Sequence, residues 1–150
     1  SGPRVVGVDR EVTRMRPLLK QLMGERIAMS YELGAGGSLL GLAPHELGQV
    51  LLNLCVNGRD AVHGEGEVRV KTQHADGFVE LEVHDSGVGI SVDVQARMFE
   101  PFFTTKEEGL GVGLSISQGI IEAHGGELWL ESTSPEGSVF CLTIQNFSET

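Results

Sequence analysis

Apolar and polar positions change period several times along this chain, and the changes mark out its elements. Val5 to Val8 reads as a short strand. Val12, Met15, Leu19, Leu22 and Met23 then fall on one helical face. That predicts a helix capped by Asp9 and ended by Gly24. Pro17 lies inside it and removes a backbone donor, so the helix is expected to bend there or to start late. Arg26 to Leu33 alternates as a strand, 34–37 is a glycine turn, and Ser38 to Ala43 reads as another short strand. A second helix starts at Pro44 and ends near His63-Gly64. Glu67 to His74 and Phe78 to His84 alternate around Ala75-Asp76-Gly77, which predicts a hairpin. Residues 86–110 are rich in Gly, Thr and charge, with a short helix predicted at Val92 to Met98; a stretch of this kind is usually functional or mobile. Gly111 to His124 predicts the last long helix, with Ile116, Gly119, Ile120 and Ala123 on one face. Glu127 to Ser132 and Ser138 to Ile144 form a closing hairpin around Pro135-Glu-Gly137.

The order mixes strands, helices and hairpins without regular βαβ alternation. It predicts an α+β fold: a two-layer α/β sandwich of a mixed, mainly antiparallel sheet with about three helices on one face. At 150 residues the chain reads as a single domain spanning 1–150, with no internal repeat and no linker.

One pair of residues departs from the pattern. Asn53 and Asn57 sit four apart in the apolar run Val50-Leu-Leu-Asn-Leu-Cys-Val-Asn57, so a helix projects both amides from one face. Gln49 extends the row by a turn. Buried amides are costly unless satisfied, either by protein or by a polar ligand such as hydrated metal on a polyphosphate.

Three further stretches favour the ligand. Leu81-Glu-Val-His-Asp85-Ser-Gly87-Val-Gly89-Ile90 is a strand ending in an aspartate and two glycines. Met98-Phe99-Glu-Pro101-Phe102-Phe103-Thr-Thr105-Lys106 follows. Gly109-Leu-Gly111-Val-Gly113-Leu114-Ser-Ile opens a helix. In this order, from about Val5 to Ile144, they resemble the N, first glycine, F and second glycine boxes of the sensor histidine kinase catalytic domain. That domain belongs to the superfamily shared with gyrase, heat-shock protein 90 and mismatch-repair ATPases.

The resemblance implies a protein-histidine kinase fragment that binds ATP and Mg²⁺. Asn53 would hold magnesium, whose preference for hard oxygen ligands an amide carbonyl meets without adding charge. Asn57 would contact phosphate oxygens or a metal-bound water. Gln49 stands where many members have a glutamate proposed as base, so its catalytic role is open. Asp85 would accept from the adenine amino group, with Gly87 and Gly89 letting the backbone approach and turn. Gly109, Gly111, Gly113 and Leu114 would cradle phosphates at a helix start. Arg59 is a further phosphate candidate, and Lys106 either pairs with phosphate or stays solvated. Asp60 reads as a helix-surface partner. Phe99, Phe102 and Phe103 would anchor a flexible ATP lid, about 87–113, against the core. The stretch 105–111 is similar to the oxygen- and nitrogen-sensing subclass. His45-Glu46-Leu47 mimics a phosphoacceptor box, but it lies eight residues before Asn53, and a true acceptor sits on a separate helical hairpin.

The implied partners are a histidine phosphoacceptor and dimerisation domain and the receiver domain of a response regulator. The fragment itself is expected to be monomeric. Rival functions are a degenerate nucleotide-binding module acting through protein contacts, and an ATPase or serine kinase on the same fold. A net charge of −10 argues against nucleic acid. No run of eighteen apolar residues predicts a membrane span, and the polar start lacks a signal-peptide pattern. Cys55 and Cys141 belong to no metal-ligand spacing and read as buried thiols, which suits the cytoplasm.

Overall fold

The computed structural model describes residues 4–103 and 113–147. Strand β1 (Val6–Gly7) leads into helix α1 (Val8–Met23), followed by β2 (Ile27–Gly34), β3 (Leu39–Leu40) and helix α2 (Pro44–Ala61). Then come β4 (Gly66–Ala75), β5 (Phe78–Asp85), the single turn α3 (Val92–Gln95), helix α4 (Gly113–Ala123), β6 (Glu127–Ser134) and β7 (Gly137–Gln145). Five strands form one sheet in the order β2-β4-β5-β7-β6, while β1 and β3 pair separately. Only β2 and β4 run parallel within the large sheet; its other neighbours are antiparallel. The α+β sandwich with a mixed, mainly antiparallel sheet is therefore as the sequence predicts.

Alternation along the strands builds the core. Val68, Val70 and Thr72 of β4, Val79, Leu81 and Val83 of β5, and Phe140, Leu142 and Ile144 of β7 are buried. They meet Val12, Met15 and Leu19 of α1, and Leu47, Leu51 and Leu54 of α2, in one cluster. The β4–β5 loop is Asp76-Gly77, with φ of 53° and 83°. Two successive positive φ values match the right-handed twist of the flanking strands, which is why an Asp-Gly pair closes this hairpin.

Several expectations need correction. Asp9 does not cap α1: the N-cap is Gly7, without a side-chain bond. Asp9 lies inside the first turn, where its carboxylate accepts from the Ala35 amide at 3.0 Å and the Thr72 hydroxyl at 2.6 Å. Helix α1 starts at Val8 and runs through Pro17, so it does not start late. Thr13, four residues earlier, and Pro17 itself are both exposed, which leaves the carbonyl that proline cannot pair open to solvent. The strand expected over 38–43 is only two residues long, and the helix expected over 92–98 only four. The buried face of α4 is also rotated. Ser117 and Ile121 are fully buried, with Leu114 packed on the core, whereas Ile116, Gly119 and Ala123 are exposed. The hydroxyl of Ser117 finds a partner on α2, so a polar residue takes the inward position.

Among the described residues no helix is long and apolar enough to cross a membrane. Both cysteines are free and buried.

The Asp9 contacts join α1 to β4 and to the end of β2. Removing the carboxylate in Asp9→Ala takes the acceptor from the Ala35 amide and from the O–H of Thr72, which is 2% exposed, at a cost of about 1–3 kcal/mol. Urea unfolding should show a lower midpoint with an unchanged slope; an unchanged midpoint would make the contact energetically idle.

Candidate nucleotide site

Helix α2 is the element on which the site is built. Pro44 starts it, and the Glu46 carboxylate accepts from the Ala43 amide at 2.9 Å. Ala43 has no side-chain acceptor, so only this half of the reciprocal capping pattern exists. Leu47, Val50, Leu51, Leu54 and Cys55 turn into the core. Burial holds Cys55 firmly in its thiol form, with its pKa pushed up to about 12. Gln49, Asn53 and Asn57 occupy the remaining flank, with Gln49 exposed and both asparagines half-buried.

The Asn53 amide is held on three sides. Its Nδ2 donates to the Gly113 carbonyl at 3.1 Å and to Ser117 Oγ at 3.0 Å. Its Oδ1 accepts from Gln49 Nε2 at 3.0 Å. The nitrogen thus faces the start of α4, and the oxygen lies on the exposed Gln49 side. Asn57 makes no side-chain hydrogen bond to another described residue. Gly113 and Leu114 open α4 against this flank, and Leu114 packs on the core.

Asp85 ends β5 beside the last turns of α2. A Cβ on Gly58 would lie 3.2 Å from Asp85 Cβ, so the missing side chain lets helix and aspartate pack directly. Asp85 Oδ1 accepts from the Gly87 amide at 2.8 Å. Burial pushes this carboxyl above its ordinary range, while the amides of Gly87 and Ser138 and the neighbouring His84 pull it back. The two following glycines are required by protein contacts. A Cβ on Gly87 would stand 2.5 Å from the Ala61 carbonyl oxygen, and the next amide, Val88, donates to that oxygen at 3.1 Å. Gly89 has φ of 86° and turns its open side onto the Ser134 carbonyl. Their backbones approach α2 and the β6–β7 hairpin, a demand that the sequence alone attributes to ligand.

Arg59 does not join the others. Two residues from Asn57, it points off the opposite side of α2 and donates to the Leu22 carbonyl at 3.3 Å and to Asp60 at 3.1 Å. It ties α2 to the end of α1, and Asp60 is the helix-surface partner expected. Lys106, Gly109 and Gly111 lie outside the described residues. Phe99 meets Phe140 edge-on with ring centroids 6.3 Å apart, and Phe103 packs on the core beneath Arg97. Phe102, 77% exposed with φ of 68°, does not pack on the core of the described residues.

Sequence reasoning missed Gly58, Ser117 and the Thr133–Ser138 pair. Thr133 Oγ1 accepts from the Ile90 amide at 2.9 Å and lies 2.8 Å from Ser138 Oγ, fixing the loop after Asp85. For Ser117 a signal existed: it stands four residues after Gly113, on the row that continues to Ile121.

Residues 42–147 match the model of the histidine kinase-, DNA gyrase B- and HSP90-like ATPase family. The sensor protein FixL of Bradyrhizobium diazoefficiens is 40% identical over 123 residues, covering 80% of this chain and 24% of that protein. The sensor histidine kinase ZraS of Klebsiella oxytoca is 34% identical over 141 residues, covering 93% of this chain and 30% of that protein. The chain therefore spans less than a third of either relative. Among solved structures, a nucleotide-free form of the catalytic domain of histidine kinase ThkA superposes with a TM-score of 0.78 at 26% identity, covering 97% of both chains.

Because burial raises the Asp85 carboxyl above its ordinary value of 3.8, the folded chain binds that proton more tightly than the unfolded chain. Stability gained below the unfolded value is lost as pH rises through the folded one. Asp85→Asn should therefore melt higher than the parent at pH 7, with the difference vanishing below about pH 3.8. Melting curves across pH test this, and a neutral-pH variant less stable than its parent would refute it. The chain belongs to the histidine kinase-, DNA gyrase B- and HSP90-like ATPase family.

Proposed function

We propose that this chain is the Mg-ATP-binding catalytic domain of a two-component sensor histidine kinase, donating the γ-phosphoryl group to a histidine on a separate dimerisation domain. The observation that carries the reading is the arrangement on α2. An amide flank of Asn53 and Asn57 faces the glycine-led start of α4, and Asp85 stands at the far end of the same helix. The distance along the helix separates a polyphosphate end from a base-reading end.

The residues present fit magnesium. Asn53 Oδ1 is a hard, uncharged oxygen on the exposed side of its amide, of the kind the ion takes beside phosphate and water. When bound, the ion neutralises charge on the β- and γ-phosphates. Asn57, with no described protein partner, suits phosphate oxygens or a coordinated water. The Asp85 carboxylate accepts from the adenine amino group, a donor that guanine lacks at that place. Gly113 and Leu114 position the first turn of α4, whose amides and dipole favour anions. Gln49 is an amide and cannot take a proton from water, which favours transfer to a partner over hydrolysis. Lys106, Gly109 and Gly111 complete the phosphate cradle in this reading, within a lid of about 87–113 that Phe99 and Phe103 fasten at its near end.

The acceptor is then a histidine on the dimerisation domain of the parent protein, and the phosphoryl group passes on to the receiver domain of a response regulator. The full 1–150 span is one such domain, monomeric by itself and cytoplasmic.

Calorimetric titration with ATP and GTP in magnesium, on this chain and on Asp85→Asn, tests the pocket. ATP should bind selectively, and the variant should bind it at least about tenfold more weakly, the size of one hydrogen bond to a charged group. Binding of neither nucleotide would leave a degenerate module that works through protein contacts. The isolated chain should bind ATP yet incorporate no labelled phosphate on histidine until a phosphoacceptor domain is added. Labelling without that domain would overturn the assignment.

A further inference from the structure

Ser117 is 0% exposed on a helix face otherwise formed by apolar side chains. A buried hydroxyl is retained at a cost unless it bonds. Its Oγ accepts from Asn53 Nδ2 at 3.0 Å, across the gap between α4 and α2. The Gly113 carbonyl, one turn earlier on α4, accepts from the same nitrogen at 3.1 Å. Two acceptors from one helix therefore claim the NH₂ group.

An amide side chain has two ends of nearly equal size and opposite function. One donates and the other accepts, and a half-turn about the last torsion exchanges them. Nothing in the shape of Asn53 selects an end. The chemistry of its surroundings does, because an amide oxygen turned towards Ser117 would face the Gly113 carbonyl, and two acceptors repel. With Nδ2 fixed inward, Oδ1 is fixed outward, on the Gln49 side.

We infer that Ser117 is a positioning residue for the metal end of the site: with the Gly113 carbonyl, it locks the Asn53 amide so that its oxygen, and not its nitrogen, is presented to the ion. The inference rests on the reading of Asn53 as a magnesium ligand. It adds a second role for α4, which holds the ligand atom of another helix as well as presenting its own first turn. It also explains why a serine occupies a fully buried position of α4.

Two measurements on Ser117→Ala decide the matter. The first is ATP binding by calorimetry with magnesium and with a chelator. Loss of orientation should weaken binding about tenfold in magnesium and leave metal-free binding within about twofold. In an Asn53→Ala background the serine substitution should have no further effect. Equal losses with and without magnesium would show that Ser117 is only a packing residue, as would no loss in either. The second is the side-chain amide spectrum of the nucleotide-free chain by ¹⁵N NMR. The Asn53 NH₂ protons should be slow to exchange in the parent and exchange rapidly in Ser117→Ala, with the Asn57 pair unchanged. An Asn53 signal indifferent to the substitution overturns the lock. If the parent chain shows no magnesium-dependent affinity, the metal reading itself fails, and the inference that an oxygen is presented to the ion falls with it. The amide spectrum then still separates a lock without a metal from no lock at all.

Discussion

Where α2 ends, it comes into backbone contact with the chain leaving β5, and the rest of the site depends on that approach. Gly87 has no side chain because the Ala61 carbonyl occupies its place, and the same carbonyl accepts from Val88. Gly58 leaves room for Asp85 itself. A side chain at Gly87 would force the helix end and the chain leaving β5 apart, and one at Gly58 would press on Asp85. Arg26 secures the corner from below, donating to the carbonyls of Val62 and Gly64 at 2.7 Å each. A cation at a helix C-terminus meets both the unpaired carbonyls and the negative end of the dipole. Arg59 closes the corner by reaching the Leu22 carbonyl, so its charge is committed to architecture.

The second wall of the site, α4, is held to α2 at both ends. Near its start the Asn53 amide bonds to Gly113 and Ser117. Near its end the His124 imidazole lies 3.6 Å from the Glu46 carboxylate, which also caps the first turn of α2. Apolar packing alone would allow one helix to slide or roll on the other with little penalty. Polar groups that must find specific partners in a low-dielectric setting remove that freedom. The geometry between Asn53 and the first turn of α4 is thus fixed by side chains outside the cleft as well as within it.

Much of this was legible in the sequence. Period-two strands around an Asp-Gly turn and the 3.6-period stripe of α1 gave the layers, because burial of one face is the dominant local demand. Asn53, Asn57 and Asp85 announced themselves by breaking those patterns. Several of the errors share a cause, a tertiary contact overriding a local rule. Asp9 resembles an N-cap, yet the amide of Ala35 and the hydroxyl of Thr72, distant in sequence, claim its carboxylate. The face of α4 was misplaced because a serine counts as polar in any periodicity, and only the amide on α2 makes it a core residue. Arg59 looked like a phosphate ligand from its place beside Asn57, although two residues along a helix is about half a turn. Gly87 and Gly89 approach Ala61 and Ser134 closely, neighbours the sequence does not name, since a glycine reports a close approach without saying to what.

The chemistry of the cleft follows from the charge of the chain. At a net −10, an additional carboxylate near a polyphosphate would oppose binding, and a carboxylate ligand for the metal would deepen the same field. Amides avoid this: Asn53 and Asn57 offer oxygen to a cation or N–H to an anion at no cost in charge. The price of neutrality is ambiguity of orientation, which the protein removes by burying a serine. The carboxylate proposed to read the base, Asp85, stands near the other end of α2, against Gly58. Burial pushes this carboxyl above the ordinary range, and a charged acceptor there would read the base more strongly than a neutral one. In the proposed site, negative charge thus stands at the end that would read the base, and uncharged amides at the end that would meet phosphate.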